Sequence, residues 1–126
     1  MYDVRIINNE PILFEDDNEL NLERYRDKYN NIRYVFDDGS LVRIWYDNAI
    51  AWFDSNGECH RDGDMPSYTS NIYMSYQIHG KWHRENGPAV IYPDGSVEYR
   101  LDGIKYTKDA YINELISKYG CISCMM

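Results

Sequence analysis

Gly80-Lys81-Trp82-His83-Arg84-Glu85-Asn86-Gly87-Pro88-Ala89-Val90-Ile91-Tyr92-Pro93-Asp94-Gly95-Ser96-Val97-Glu98-Tyr99-Arg100-Leu101-Asp102-Gly103 carries two independent signals that agree. The first is a repeat. Gly57, Gly80 and Gly103 stand at equal intervals of 23 residues (57 to 80, 80 to 103), and two of them are followed by the same pair, His60-Arg61 and His83-Arg84. The segment Gly57-Glu58-Cys59-His60-Arg61-Asp62-Gly63-Asp64-Met65-Pro66 matches the opening of this stretch through Pro88, with one residue of slippage before the proline. A fixed period of this length marks a supersecondary unit too small to bury its own apolar face. The second signal is alternation. Val97, Tyr99 and Leu101 share one side of an extended segment, with Glu98, Arg100 and Asp102 on the other. Carried back one period, Met74, Tyr76 and Ile78 fall on the same side, so the repeat predicts strands that period-2 patterning supports.

Turns fall where that reading needs them. Pro93-Asp94-Gly95-Ser96 separates 89–92 from 97–101, and Asp37-Asp38-Gly39-Ser40 separates 32–36 from 41–46. Proline presets φ, Asp bonds the turn locally and Gly takes the left-handed position. Short strands joined by such turns predict an all-β, antiparallel meander of hairpin repeats. Residues 107–119 predict a helix, with Thr107 as N-cap, Asp109 in the first turn, Lys118 in the last and Gly120 just past the end. This helix is expected to cap the final hairpin. A strand over 2–7 and a short N-terminal helix within 18–29, with Leu22, Tyr25 and Tyr29 on one side, complete the expectation. The chain thus divides as one domain: a non-repeat segment 1–30, hairpin repeats 31–106, the helix 107–120 and a tail 121–126.

The 126 residues carry 21 acidic and 13 basic side chains, for a formal charge of −8. Capture of a phosphate backbone relies on clustered Lys and Arg, so no direct nucleic-acid binding is expected. A basic protein partner, or mimicry of nucleic-acid charge, stays open beside plain solubility. No apolar run is long enough to span a bilayer and no N-terminal apolar region resembles a secretory signal, so a soluble, cytoplasmic protein is expected. Three cysteines without framework spacing fit a reducing compartment. The oligomeric state is left open.

Residues 83–103, with their HRxxGPA opening, resemble the hairpin repeat common in hypothetical proteins of tailed phages and large DNA viruses, a distant variant of the MORN repeat. The resemblance is strongest over 80–106, fair over 57–79 and extends suggestively over 31–56. Ser67 replaces the alanine after Pro66, Asn48-Ala49 stands where the pattern has Asn-Gly, and Tyr106 occupies the third His position. The resemblance implies a viral source and a hairpin-repeat fold. It implies no catalytic residues, and the lipid-binding roles proposed for MORN proteins do not carry over.

The chemistry-bearing residues are better accounted for by structure than by catalysis. His60-Arg61-Asp62 lacks the rest of a kinase signature. A His-Arg pair recurring in each repeat fits imidazole bonding to backbone and Arg pairing with a nearby acid or a neighbouring hairpin. Cys121-Ile122-Ser123-Cys124 has metal-ligand spacing with Cys59-His60 as distant candidates, but no second C-x-x-C exists, and free thiols in a tail fit better. No Ser-His-Asp arrangement, P-loop or dinucleotide fingerprint is present. We therefore expect no enzyme, no cofactor and no bound metal. The structural positions are Gly57, His60, Arg61, Gly80, His83, Arg84, Pro88, Gly95 and Gly103. The candidate contact residues are Tyr73, His79, Trp82, Glu98 and Arg100 on a sheet face. The loop acids Glu15, Asp16, Asp17, Asp37, Asp38, Asp62 and Asp64 join them. Rigid tyrosine and tryptophan supply contact area at low entropy cost. The expected function is a viral protein-binding module, an adaptor or inhibitor of a host complex such as an anti-defence factor. A virion structural or assembly role is the alternative, and a hydrolase or nuclease using His60, His83 and nearby carboxylates is the third reading.

Overall fold

A computed structural model describes residues 1–120; the Cys121 and Cys124 readings lie outside the described residues. Fourteen strands and one helix follow the order β1 (Tyr2–Ile7), β2 (Glu10–Glu15), β3 (Asn18–Glu19), β4 (Arg24–Arg26), β5 (Ile32–Val35), β6 (Leu41–Ile44), β7 (Ile50–Phe53), β8 (Tyr68–Thr69), β9 (Met74–Ser75), β10 (Gln77–Ile78), β11 (Lys81–Trp82), β12 (Val90–Ile91), β13 (Val97–Leu101), β14 (Ile104–Tyr106) and α1 (Lys108–Tyr119). Every pairing is antiparallel. Nine strands make one meander, β4 through β9 and then β12 to β14, while β10–β11 forms a separate hairpin and β1–β3 a three-stranded sheet. The all-β meander with a C-terminal helix is the architecture that the repeats predict.

Two turn types build it. In the five hairpin loops Asp27–Asn31, Phe36–Ser40, Trp45–Ala49, Asp54–Glu58 and Tyr92–Ser96, the first residue's amide bonds the carbonyl of the last. The fourth residue is left-handed in each: Asn30, Gly39, Asn48, Gly57 and Gly95, with φ from 67° to 90°. Asp38 and Asp94 accept from the amide and hydroxyl of Ser40 and Ser96, the local capping that the two Asp-Gly-Ser turns predict. The other type is a two-residue turn with positive φ at both positions, as in Asn8-Asn9, Asp16-Asp17, His79-Gly80 and Asp102-Gly103. Its twist suits adjoining strands. Gly57 therefore sits in a different turn from Gly80 and Gly103.

The repeat survives that difference because its backbone bonds do. Trp52 and Tyr76 open the two arms, donating to the Ser67 and Ala89 carbonyls at 2.8 and 2.7 Å. His60 and His83 close them, donating back to Trp52 and Tyr76 at 2.9 and 3.0 Å. The first arm needs eight steps from Trp52 to His60 where the second needs seven from Tyr76 to His83. The longer loop at Asp54–Glu58 absorbs the extra residue.

The core lies on one side of the sheet. Ile32, Tyr34, Val42, Ile44 and Trp52 are buried against Leu13 of β2, with Val4, Leu20, Leu22, Phe36 and Ile50 around them. Removing such surface from water is the main favourable term in folding. At the other end α1 closes over β13, placing Tyr99 and Tyr111 rings 4.9 Å apart. Thr107 accepts from Ala110 at 3.2 Å, and Gly120 (φ 84°) ends the helix by donating to Ile116.

Three expectations need correction. The segment 18–29 contains β3 and β4 rather than a helix: Arg24–Arg26 pairs with Ile32–Tyr34, and cross-strand pairing overrides the helix-like spacing of Leu22, Tyr25 and Tyr29. The sheet thus begins at Arg24, inside the segment read as non-repeat. The strand expected over 72–78 breaks at Tyr76, where the arm leaves the sheet. Ile72 and Ile78 are exposed and Ser75, on the side read as outward, is fully buried. Glu98 and Arg100 are largely covered as well, because they bond each other, Tyr92 and the Gly103 carbonyl, while Val97 is exposed.

Candidate functional site

The two His-Arg pairs show what the recurring residues do. His60 Nδ1 accepts from the His79 amide at 2.9 Å, and His83 Nδ1 accepts from the Asp102 amide at 3.0 Å. Each ring thereby holds the first residue of the next two-residue turn. The following glycines reinforce this, Gly80 donating to Cys59 and Gly103 to Trp82. Arg61 donates to the Pro66 carbonyl and lies 4.2 Å over Trp52; Arg84 donates to the Pro88 carbonyl and lies 3.8 Å over Tyr76. The ring and the guanidinium join one hairpin to the next.

Around the first pair a further cluster forms. His60 and His79 stack at 4.2 Å, His79 Nδ1 meets Asp54 at 2.8 Å and His60 Nε2 meets Asp62 at 2.9 Å. The His79 hydrogen bond, with amides of Glu58 and Asn56, holds the Asp54 carboxyl below the ordinary range. Asp54, His60 and His79 offer three potential metal-ligand atoms within 4.8 Å. The chemistry of the donors does not suit a metal. An Nδ1 that accepts an amide hydrogen forces the His60 proton onto Nε2, which donates to Asp62. Rings stacked at 25° also keep their lone pairs in two separate, nearly parallel planes, which hinders convergence on one centre. Burial raises the Cys59 thiol pKa, so it is not poised as a nucleophile.

Register defines the opposite side of the sheet. Tyr25, Arg33, Arg43, Ala51, Tyr68, Ser75, Val90 and Glu98 are successive cross-strand partners and share one face. Trp45, Tyr73 and Tyr92 join them by alternation. Ring centroids run 6.3 Å from Trp45 to Tyr68, 5.0 Å on to Tyr73 and 6.3 Å on to Tyr92. This aromatic strip shelters Ala51, Ser75 and Val90. Beside it Arg33 lies over Tyr25 and Arg43 over Trp45, and neither has a hydrogen-bond or carboxylate partner among the described residues. Elsewhere arginines are engaged: Arg5, Arg24, Arg26, Arg84 and Arg100 each reach a carboxylate.

The expected contact residues do not form one patch. Tyr73 belongs to the aromatic strip. Trp82 lies under Arg100 at 4.9 Å, and with Glu98 forms a half-buried network. His79 is at the first arm's junction. Among the acids, Asp16 binds the Met1 amine, Asp17 binds Arg5, Asp62 binds His60 and Asp64 binds Arg84, while Asp38 caps its turn. Asp37 and Asp38 lie beside Tyr2, whose hydroxyl pKa is raised first by the Glu15 charge, then by burial and by these two acids. Between them a groove of about 450 Å³ opens, its walls including Tyr2, Phe36, Leu41 and Phe53, with Asp38, Asp54 and Asp62 at its edges. Sequence reasoning missed Asp54 as an edge group, and missed Arg33 and Arg43. The second omission was avoidable: counting outward from the Asp-Gly-Ser turn sets Val35 against Leu41 and so Arg33 against Arg43.

Fold and site together define an antiparallel hairpin-repeat protein with an aromatic, arginine-bearing sheet face and an acid-edged groove. No protein-family model, no curated protein and no solved structure matches the chain. No described helix is long and apolar enough to cross a membrane.

Proposed function

We propose that the chain is a non-enzymatic protein-binding module that works as an adaptor or inhibitor of a host complex, in the manner of a viral anti-defence factor. The observation that carries this reading is the sheet face. Tyr25, Arg33, Arg43, Trp45, Tyr68 and Tyr73 lie side by side on neighbouring strands, and two of the cations have no partner. Tyr, Trp and Arg are the residue types that dominate binding energy at protein interfaces. Like charges placed directly across a strand pair cost stability, so Arg33 opposite Arg43 is a stability cost that a partner's anionic or carbonyl groups would relieve. The His rings support the same reading, because the Nδ1 of each accepts a backbone amide hydrogen and so serves the hairpin joints. The resemblance to viral hairpin repeats supplies the viral context.

Immobilised protein should retain one partner in near-equal molar amount from host-cell lysate, and Arg43→Ala with Tyr73→Ala should release it while leaving the fold intact. Recovery of no stoichiometric partner, or equal recovery by the double variant, would remove the basis of this reading.

A further inference from the structure

The groove at the first arm is a second surface of opposite character. Tyr2 opens β1 with Met1 just before it, Phe36 and Leu41 flank the Asp37–Ser40 turn, Phe53 ends β7, and His60 to Gly63 form the far wall. Its volume of about 450 Å³ falls within the range of ligand-binding clefts. A second hollow of about 270 Å³ shares Tyr2, Phe36, Asp38 and Ser40 with it and adds Leu20, Leu22 and Asp37. The two together are longer than one side chain needs and short enough for a few residues of peptide.

The floor is apolar and the edge is anionic. Tyr2 rests on Phe36 at 4.6 Å, and Arg61 lies flat on Trp52 with its hydrogens given to the Tyr2 and Pro66 carbonyls. Asp38 and Asp62 each bond through one carboxylate oxygen, leaving the other without a partner among the described residues, and Asp37 has neither oxygen engaged. Arg61 and the Met1 amine are the opposing cations; the amine is held by Asp16 and the guanidinium is turned into the floor.

We propose that this groove receives a segment of a protein partner in which a large apolar side chain is flanked by lysines or arginines. The inference rests on the reading of the chain as a protein-binding module and adds the chemistry of what it binds. The apolar side chain would sit on Phe36, Leu41 and Phe53, and the flanking cations would meet Asp37, Asp38 and Asp62. The body charge of −8 steers such a segment inward and repels an acidic one. A lone apolar ligand would leave the free carboxylate oxygens unused, and a lone cation would leave the floor open to water.

The probe is a capped hexapeptide with a leucine-tryptophan centre and two lysines on each side. It should shift backbone amide resonances at residues 36–41, 53–55 and 60–63, with affinity dropping about tenfold between low and high salt. The same centre flanked by glutamates, and lysines flanking two alanines, should shift none of these at matched concentration. Asp37→Lys with Asp62→Lys should abolish the response, its folding checked by the unchanged amide spectrum of 90–119. Equal response to the glutamate peptide, no response up to about 1 mM, or shifts confined to the sheet-face residues Tyr25, Arg33, Arg43, Trp45, Tyr68 and Tyr73 would overturn the inference. The broader reading fails separately. A partner retained equally by the native protein and the groove variant leaves the module reading standing and sinks the groove. Peptide binding without any lysate partner does the reverse.

Discussion

His60-Arg61 and His83-Arg84 make matching backbone bonds and each borders a hollow, of about 450 and 260 Å³, yet only the second pair is braced by a helix. Tyr111 of α1 donates its hydroxyl to the Arg84 carbonyl at 2.6 Å and accepts from the Gly87 amide at 3.2 Å. Lys118 and Tyr119 reach Glu85, and Asp64 pairs with Arg84. Among the described residues no helix lies over the first pair. Arg61 reaches only carbonyls, His60 stacks on an exposed His79, and the N-terminal strand leaves a gap beside Phe53. Equal local sequence thus specifies equal hairpin junctions, and the flanking elements decide which junction a helix braces.

The largest test of that contrast removes the cap. Tyr111 is 4% exposed and packs on Tyr99, so Tyr111→Ala should cost about 3 kcal/mol in chemical denaturation, the usual scale for truncating a buried aromatic. Amide exchange should accelerate at Arg84 and Gly87 while Arg61 and Gly63 hold. Tyr111→Phe keeps the ring and orphans the Gly87 amide, for about 1–2 kcal/mol. If both variants loosen the two junctions equally, the junctions are one cooperative unit and the contrast fails.

His60→Ala and His83→Ala each remove one acceptor for a turn amide and should cost about 1 kcal/mol apiece. Near-equal values, measured by melting, would mark the rings as equivalent joints. A deficit much larger at His60 would mean that its stacking on His79 and its bond to Asp62 add to the joint.

Acid should separate the arms. Asp54 is held below its ordinary value of 3.8 by the His79 ring, then by the amides of its own turn. A depressed carboxyl adds stability that is present above its unfolded value and is lost as pH falls through the folded one. The Asp54–Glu58 tip should therefore open below about pH 4, seen as faster exchange at Gly57 and Glu58, with Gly103 protected to lower pH. Simultaneous loss at both tips would show that Asp54 contributes nothing particular to the first.

These contrasts also show what the residues disclosed in advance. The Asp-Gly-Ser turns, the Thr107-to-Gly120 helix and the His-Arg period are local: each depends on φ preferences or capping within a few residues, so the chain states them outright. The segment 18–29 does not. Leu22 belongs to the core and Tyr25 to the solvent face of β4, and that division exists only once Arg24 pairs with Tyr34. The groove is equally non-local, since Tyr2, Phe36 and Phe53 come from three separate strands and loops. Loop acids were visible as acids, but their partners were not: Asp64 finds Arg84 twenty residues on.

The smallest expected effect on stability separates the exposed sheet face from both junctions. Arg33 and Arg43 stand opposite each other with rings beneath them and no ion-pair partner among the described residues, although the Asp27 carboxyl lies near enough to feel the Arg43 charge. Arg43→Glu turns a like-charge pair into an opposite one, and cross-strand pairs of this kind are worth roughly 0.2–1 kcal/mol. Stability should stay within about 0.5 kcal/mol of the native value, because the gain against Arg33 is set against the lost attraction to Asp27, read as a nearly unchanged denaturation midpoint and slope. Partner retention should fall sharply in the same variant. A residue kept for the fold would show the opposite pattern, lower stability and unchanged binding. Near-native stability with lost partner retention would mark Arg43 as serving the interface proposed for this face, and not the sheet.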